Sequence, residues 1–365
     1  MNNVVPQWGI LNFMILLLGA TGYVGQAFSS ELRQRRSSFI PLTRKAVDYT
    51  NFDVLFGYVR KMKPEFVINA AGFAPNPNID ACESAHWEVL CANALLPQTI
   101  ARVCLMTNTP WAHVSSANIY TGAKVEMPGG QLRIEPDLNR PEIRRWFESN
   151  PEKFRGFTES DEPNLSFRRA PCNFYSGSKA LAEEAVQGMG RCYIWRPGTV
   201  FDERDNSRNL LSKLRGSRAV YDSIISVSQL NDFVRACLEL WEISAPFGTY
   251  NVVNGDAVTI ERIVELTREI FKPVPDIELL DNDKALEPPQ MPAESWCSSC
   301  ILDTSKLLTT GVKMRSSEEA LKSSLRKWRA GSSVPVSTVI NTAPVSSMDD
   351  LSGMALFEKL FARQT

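Results

Sequence analysis

Residues 14–25 read Met14-Ile-Leu-Leu-Leu18, followed directly by Gly19-Ala-Thr-Gly22-Tyr-Val-Gly25. An unbroken apolar run suits a strand buried on both faces, as in a parallel sheet. Gln26–Arg35 continues in a helical pattern. The glycines therefore sit between a strand and a helix, the context that gives a glycine motif its meaning. Gly19 permits the tight turn. Gly22 lets the backbone approach a pyrophosphate, and Gly25 lets the helix pack close on the strand while its N-terminus faces the phosphates. Thr21, Tyr23 and Val24 belong to the same candidate dinucleotide-binding turn.

Outward from this turn, strands alternate with helices. A second strand is expected over Ser38–Thr43, ending in Thr43-Arg44-Lys45. An NAD-binding chain usually carries an acidic residue there for the ribose hydroxyls, whereas two cations suit a 2′-phosphate. NADPH is therefore expected, with NADH or NAD left open. Asn51–Met62 reads as a helix and Pro64–Asn69 as a third strand, followed by Asn69-Ala70-Ala71-Gly72, small residues where the chain must run close to the cofactor. Asp80–Ala101 is a long helical stretch holding His86 and Asn93, and Trp111–Ser115 is the next strand. Such βαβ alternation implies an α/β fold, a Rossmann-type doubly wound parallel sheet with a smaller C-terminal α/β substrate lobe.

Composition narrows the function classes. The chain has 365 residues, 44% hydrophobic and 22% charged, which excludes disordered and fibrous proteins. Its 40 Lys and Arg balance 41 Asp and Glu, so nothing electrostatic draws it to nucleic acid. With two histidines, His86 and His113, no metal site is expected. Eight scattered cysteines make no disulfide framework, and the Cys297–Cys300 pair lacks the further ligands a zinc site needs. Phe13–Leu18 is far short of the roughly 20 residues that span a bilayer and has no signal-peptide flank. A cytoplasmic protein without membrane association is expected. Residues 1–13 read as an extension, with Met14 an alternative start.

Two further motifs complete the pattern: Ser115-Ser116-Ala-Asn118-Ile-Tyr120, and Tyr175-Ser-Gly-Ser-Lys179, whose spacing puts Tyr175 and Lys179 on one helix face. In this order after the glycine motif they resemble the extended short-chain dehydrogenases/reductases, over about residues 14–328. Asn69–Gly72, Asn78–Glu83, Phe157–Asn164, Ser207–Leu210 and Ile301–Lys306 are similar to the dTDP-4-dehydrorhamnose reductase branch and to the plant-type nucleotide-sugar 3,5-epimerase/4-reductases.

The resemblance implies reduction of the 4-keto group of a nucleoside-diphosphate 4-keto-6-deoxy sugar. Tyr175 would be the general acid. Lys179 would lower the phenol's pKa and hold the nicotinamide ribose, and Ser116 would bond the substrate oxygen. Ser115, adjacent on the strand, points to the other face. Dehydratases of the superfamily carry Asp-Glu where this chain has Ala117-Asn118. The 3,5-epimerases carry a cysteine where it has Asn118, an amide that takes no proton at neutral pH, although Lys213 matches that cysteine's partner. A reductase is expected. The alternatives are a 3,5-epimerase/4-reductase, an NAD-dependent 4-epimerase and, in another class, a non-catalytic regulatory subunit of the same fold.

Toward the C-terminus, Ile194–Phe201 reads as a strand leading into the lobe. Asp205–Leu214 is expected to cover the nucleotide sugar, with Arg208 and Asn209 contacting diphosphate and sugar, beside Asn118 and Lys213. Ser226–Trp241 and Gly248–Val253 return as helix and strand, and Thr259–Ile270 has amphipathic spacing. The expected boundaries are 14–200 with 226–253 for the dinucleotide domain, 201–225 with 254–330 for the lobe, and 331–365 for a linker and tail helix. The insertion at 121–156 is either a lid or a passive surface element. Residues 348–362 are expected to form an apolar helix face, either for the chain's own domain or for a partner. A homodimer is left open.

Overall fold

The structure, a computed structural model, describes residues 14–73, 79–127, 129–271, 277–280 and 299–328. The N-terminal extension, Asn78, Cys297 and the tail from residue 331 lie outside the described residues. A six-stranded sheet is its centre: β1 (Ile15–Leu18), β2 (Phe39–Leu42), β3 (Phe66–Asn69), β4 (Trp111–Val114), β5 (Cys192–Arg196) and β6 (Gly248–Asn251). The order is β2-β1-β3-β4-β5-β6, and every pairing is parallel. Winding reverses between β1 and β3. That switch point opens a crevice at the strands' carboxyl ends, where doubly wound folds bind ligands.

The apolar run of β1 divides by parity. Ile15 and Leu17 pack on one face with Phe28 and Leu32 of the helix Tyr23–Gln34 and with Phe233 of the helix Leu230–Glu242. Leu16 and Leu18 pack on the other with Leu55, Ile100 and Val103 from the helices Phe52–Met62 and Leu96–Met106. Pro41 lies in β2, at the sheet's edge, where the missing N–H costs no ladder bond.

Some elements differ from expectation. Asp80–Ala101 is not one regular helix: a short 3-10 segment, Ile79–Ser84, precedes the helix His86–Met106, which contains a π turn at Cys91–Leu95. Its length and apolarity would suffice to cross a membrane, but in this fold Ile100, Val103 and Cys104 are packed against the sheet. Ile194–Phe201 breaks at Pro197-Gly198 into β5 and a short strand, Thr199–Phe201; at the break a Cβ on Gly198 would stand 2.3 Å from the Ser226 carbonyl oxygen, so the two backbones pass close there.

Beyond the sheet, the helices Leu210–Gly216, Ile260–Ile270 and Ser317–Arg326 share a second core with Phe201, Val227 and Ile277. The insertion forms a three-stranded antiparallel sheet, Leu132–Glu135, Ala123–Glu126 and Phe154–Arg155, with the helix Pro141–Ser149. Val125, Ile143 and Phe154 pack against Ile224 and Ile301, and Arg144 pairs with Asp222 and Glu261. The insertion is thus a packed annex fixed to neighbouring elements by its own core.

Candidate active site

The glycine turn is shaped by close approaches of backbone. Gly19 has φ +74°, and a Cβ there would lie 2.5 Å from the Ala71 nitrogen. A Cβ on Gly25 would lie 2.1 Å from the Gly19 carbonyl oxygen, so the helix packs on the turn itself. Gly22 is the N-cap and offers no side chain to the first helical N–H groups. The result is a turn packed backbone against backbone, whose following helix has no capping side chain over its first N–H groups, which fits a dinucleotide's pyrophosphate. Thr21 is exposed on the turn, Val24 is half-buried, and the Tyr23 ring is buried in the core below. Arg44 and Lys45 are exposed just after β2. Burial pushes the Tyr49 phenol up, against the positive charge of Arg44 and the nearby Gly19 backbone, so Arg44 and the glycine turn both act on Tyr49.

Asn69 ends β3 but does not reach the crevice. It is fully buried, donates from Nδ2 to His113 Nδ1 (3.1 Å) and accepts the Ala71 N–H at Oδ1 (3.1 Å). Its work is to bend the Ala70–Gly72 loop against Gly19. Burial, with the nearby charge of Lys179, holds His113 well below the usual imidazole range, so the ring is neutral. Asn93 clamps the same loop from the π turn, accepting the Phe73 N–H (2.7 Å) and donating to the Phe73 carbonyl (2.9 Å) and Ser178 Oγ (3.3 Å). π turns recur at functional sites, and this one aims an asparagine at the cofactor loop.

The helix Phe174–Val186 carries Tyr175 and Lys179. Asn173 caps it by accepting the Ser176 N–H (2.8 Å), and Glu83 accepts the Phe174 N–H (2.7 Å). Gly177 between them lets the exposed Phe167 ring lie against the helix, since a Cβ would meet that ring at 2.3 Å and displace it. Ser116, on the turn after β4, accepts the Asn118 N–H at Oγ (3.1 Å), and its hydroxyl is near enough to the Tyr175 phenol to lower its pKa. Ser115 points away and donates to Glu183 (2.5 Å). Lys179 is buried, its ammonium 3.3 Å from the Val114 carbonyl oxygen and beside Gly72. Lys179 therefore meets the Ala70–Gly72 loop that also packs on Gly19.

Electrostatics correct one expectation. Burial pushes the Tyr175 phenol up, against the Ser116 hydrogen bond and the positive charge of Arg208. The downward pull expected from Lys179 is not among its causes. Lys179 is instead pushed down by burial to about 8, against the charge of Glu183.

The residues beyond β5 divide. Arg208 is exposed and near enough to act on Tyr175, and Lys213 is exposed on the following helix. Asn118 is half-buried next to Ser116. The expectation that Asn209 contacts substrate does not hold. Asn209 is fully buried, donates to the Asp202 and Arg204 carbonyls, and caps the helix Leu210–Gly216 through the Leu211 N–H (3.0 Å). Among the described residues, no group of three or more His, Cys, Asp or Glu is placed to hold a metal ion. A cavity of about 780 Å³ lies at the other end of the sheet, between Pro64, Pro110 and Arg191, away from all these residues.

Two residues near the site escaped the motif reading. Glu183 lies one turn beyond Lys179, and Arg196 closes β5; they pair in the interior at 2.6 Å. The signal was present: an arginine in a strand buried along its whole length needs a partner, and i+4 from Lys179 is an acid.

The sequence profile of the RmlD substrate binding domain matches residues 13–330. The bifunctional dTDP-4-dehydrorhamnose 3,5-epimerase/dTDP-4-dehydrorhamnose reductase of Arabidopsis thaliana is 24% identical over 314 residues, 85% of this chain and 91% of the relative. Among solved structures, the UDP-rhamnose synthase of Acanthamoeba polyphaga mimivirus superposes with a TM-score of 0.69 at 18% identity, over 86% of this chain and 99% of that one. The dTDP-4-dehydrorhamnose reductase of Bacillus anthracis in complex with NADP gives 0.63 at 19% identity, over 86% and 98%. Fold, glycine turn and Ser-Tyr-Lys geometry agree with the profile match: the chain belongs to the RmlD substrate binding domain family.

Proposed function

We propose that this chain is an NADPH-dependent reductase of the 4-keto group of a nucleoside-diphosphate 4-keto-6-deoxy sugar. The observation that carries the reading is the placement of Ser116 near the Tyr175 phenol, with Lys179 one turn further along the helix and against the cofactor loop. The cofactor, when bound, supplies hydride to the sugar C4. Ser116 orients the C4 oxygen, and the Tyr175 phenol gives that oxygen its proton as negative charge develops on it. A phenol pushed up by burial is fully protonated at neutral pH, the form a reduction needs. Arg44 and Lys45 beside the glycine turn suit the 2′-phosphate of NADPH. Arg208, near Tyr175, suits the substrate's diphosphate.

The relative from Arabidopsis is named for both epimerisation and reduction. Asn118 stands where the epimerising enzymes are expected to carry a cysteine, which favours reduction alone. The test is incubation with NADPH and a dTDP- or UDP-linked 4-keto-6-deoxyglucose in heavy water, with and without a separate 3,5-epimerase. NADPH oxidation only when the epimerase is present supports the reductase. Deuterium at C3 and C5 without it overturns the reading of Asn118, and no oxidation with either sugar overturns the reductase.

A further inference from the structure

We propose that Glu183 is a positioning residue of the reaction, tying the strand end that bears Ser116 to the helix that bears Tyr175 and Lys179. The inference rests on the reading of the site given above. Glu183 is buried, its side chain 8% exposed. Its Oε1 accepts from Ser115 Oγ (2.5 Å) and from Arg196 Nε (3.0 Å), and Oε2 accepts from Arg196 Nη2 (2.6 Å). Arg196 Nη1 donates to the Tyr120 hydroxyl (3.1 Å), which donates to the Asp161 carbonyl (2.6 Å). Ser115 immediately precedes Ser116, and Lys179 is one turn before Glu183. One carboxylate thus fixes both halves of the catalytic constellation relative to each other.

Stability alone is a weak reason for such a pair. A buried salt bridge gives little over well-packed apolar residues of similar size. The arrangement has a chemical consequence instead, because Glu183 is the negative charge that Lys179 faces. The other titratable neighbours are Arg196 and Cys192 on β5, Tyr120 behind Arg196, Glu159 beyond it, and His113 on β4 beneath Lys179. Burial keeps the Cys192 thiol, the Tyr120 phenol and the His113 imidazole neutral. The charge that acts against burial on Lys179 is therefore the Glu183 carboxylate, itself held by Arg196. Removing the carboxylate leaves burial unopposed, and the ammonium loses its proton at lower pH.

The experiment compares the pH dependence of kcat/KM for wild type, Glu183→Gln and Ser115→Ala, with NADPH affinity measured alongside by fluorescence. In Glu183→Gln the alkaline limb is expected to move down by about one pH unit or more. In Ser115→Ala it is expected to stay in place while kcat falls about tenfold and NADPH affinity holds, a loss of orientation worth about 1.4 kcal/mol. If Glu183→Gln does not fold, the double variant Glu183→Gln/Arg196→Gln removes the stranded cation and is expected to show the same displacement. A limb that coincides with wild type in a folded variant overturns the proposal, as does a loss of melting temperature without any change in the profile. NMR of isotope-labelled lysine reads the Lys179 titration directly and needs no turnover. A wild type that binds NADPH but reduces no sugar would overturn the proposed function, whereas an unmoved Lys179 resonance in Glu183→Gln would overturn this inference.

Discussion

A side chain on Gly25 would put its first carbon 2.1 Å from the carbonyl oxygen of Gly19. The contact is backbone to backbone, so neither partner can swing aside. Gly25→Ala must push the helix off the turn, at a cost of about 1–3 kcal/mol, and must widen the cradle for the pyrophosphate. Gly57, inside the helix Phe52–Met62, has nothing within 4 Å of its notional Cβ. Gly57→Ala should therefore stabilise by about 0.4–1 kcal/mol. Urea unfolding of both variants, with NADPH titration of each, checks the contrast. Equal effects of the two substitutions would sink the account of the turn.

Tyr175→Phe removes the phenol that Ser116 meets but keeps the ring's packing. We expect kcat to fall by about 10²–10⁴-fold with NADPH affinity and melting temperature close to wild type. Ser116→Ala should lose less, because the phenol still delivers its proton while the carbonyl loses one orienting bond. Steady-state kinetics beside a binding isotherm separates the two. A Tyr175→Phe enzyme with wild-type turnover would remove this helix from the chemistry.

Much of this was legible in the sequence because local chemistry dictated it. The apolar run of β1 can only be a doubly buried strand, and the glycines after it mark where backbones collide. The insertion at 121–156 was less legible: its strands pair antiparallel with one another and pack on Ile224 and Ile301, contacts remote in sequence. Asn69 and Asn209 show the same limit. Each is a polar residue in a motif that suggests ligand contact, yet each is wholly buried and bonded to its own backbone surroundings. Residue type alone does not separate an asparagine that shapes a loop from one that touches a ligand. Glu183 and Arg196 went unread because neither belongs to a motif, and only the strand order brings β5 beside β4.

Arg44 and Lys45 lie beyond the end of β2, with Arg44 beside the glycine turn through Tyr49. Their charges have a use for NADPH that NADH does not share. The double variant Arg44→Ser/Lys45→Ser should raise KM for NADPH about tenfold, worth about 1.4 kcal/mol, and leave KM for NADH unchanged. The NADPH effect should shrink at high salt, since both side chains are exposed. Equal losses for the two cofactors would mean that the pair senses something other than the 2′-phosphate.

Asn209→Ala tests the helix cap against a substrate contact. The side chain caps Leu210–Gly216 and bonds the Asp202 and Arg204 carbonyls, so its loss should cost about 1–2 kcal/mol of stability. Substrate KM, measured at a temperature where the variant is fully folded, should stay within about twofold, or 0.4 kcal/mol. A large rise in KM with little change in stability would return Asn209 to the substrate's side.

Lys179 makes stability depend on pH in a direction that can be worked out. Burial lowers its folded pKa to about 8, below the unfolded value of about 10.4. Below pH 8 both states carry the proton, and the folded state bears the full penalty of a buried ammonium. As pH rises from 8 toward the unfolded value, the folded lysine is neutral while the unfolded one still binds a proton, so the penalty is progressively relieved. Lys179→Met has no such charge. It should be more stable than wild type at neutral pH by a margin on the order of 3 kcal/mol, less whatever contact with the Val114 carbonyl is lost. The margin should close as pH rises through this window. Chemical denaturation of both proteins at a series of pH values reads it directly, and a margin that stays constant from neutral to alkaline pH would mean that Lys179 holds its proton as firmly in the fold as in the unfolded chain, so that burial does not lower its pKa.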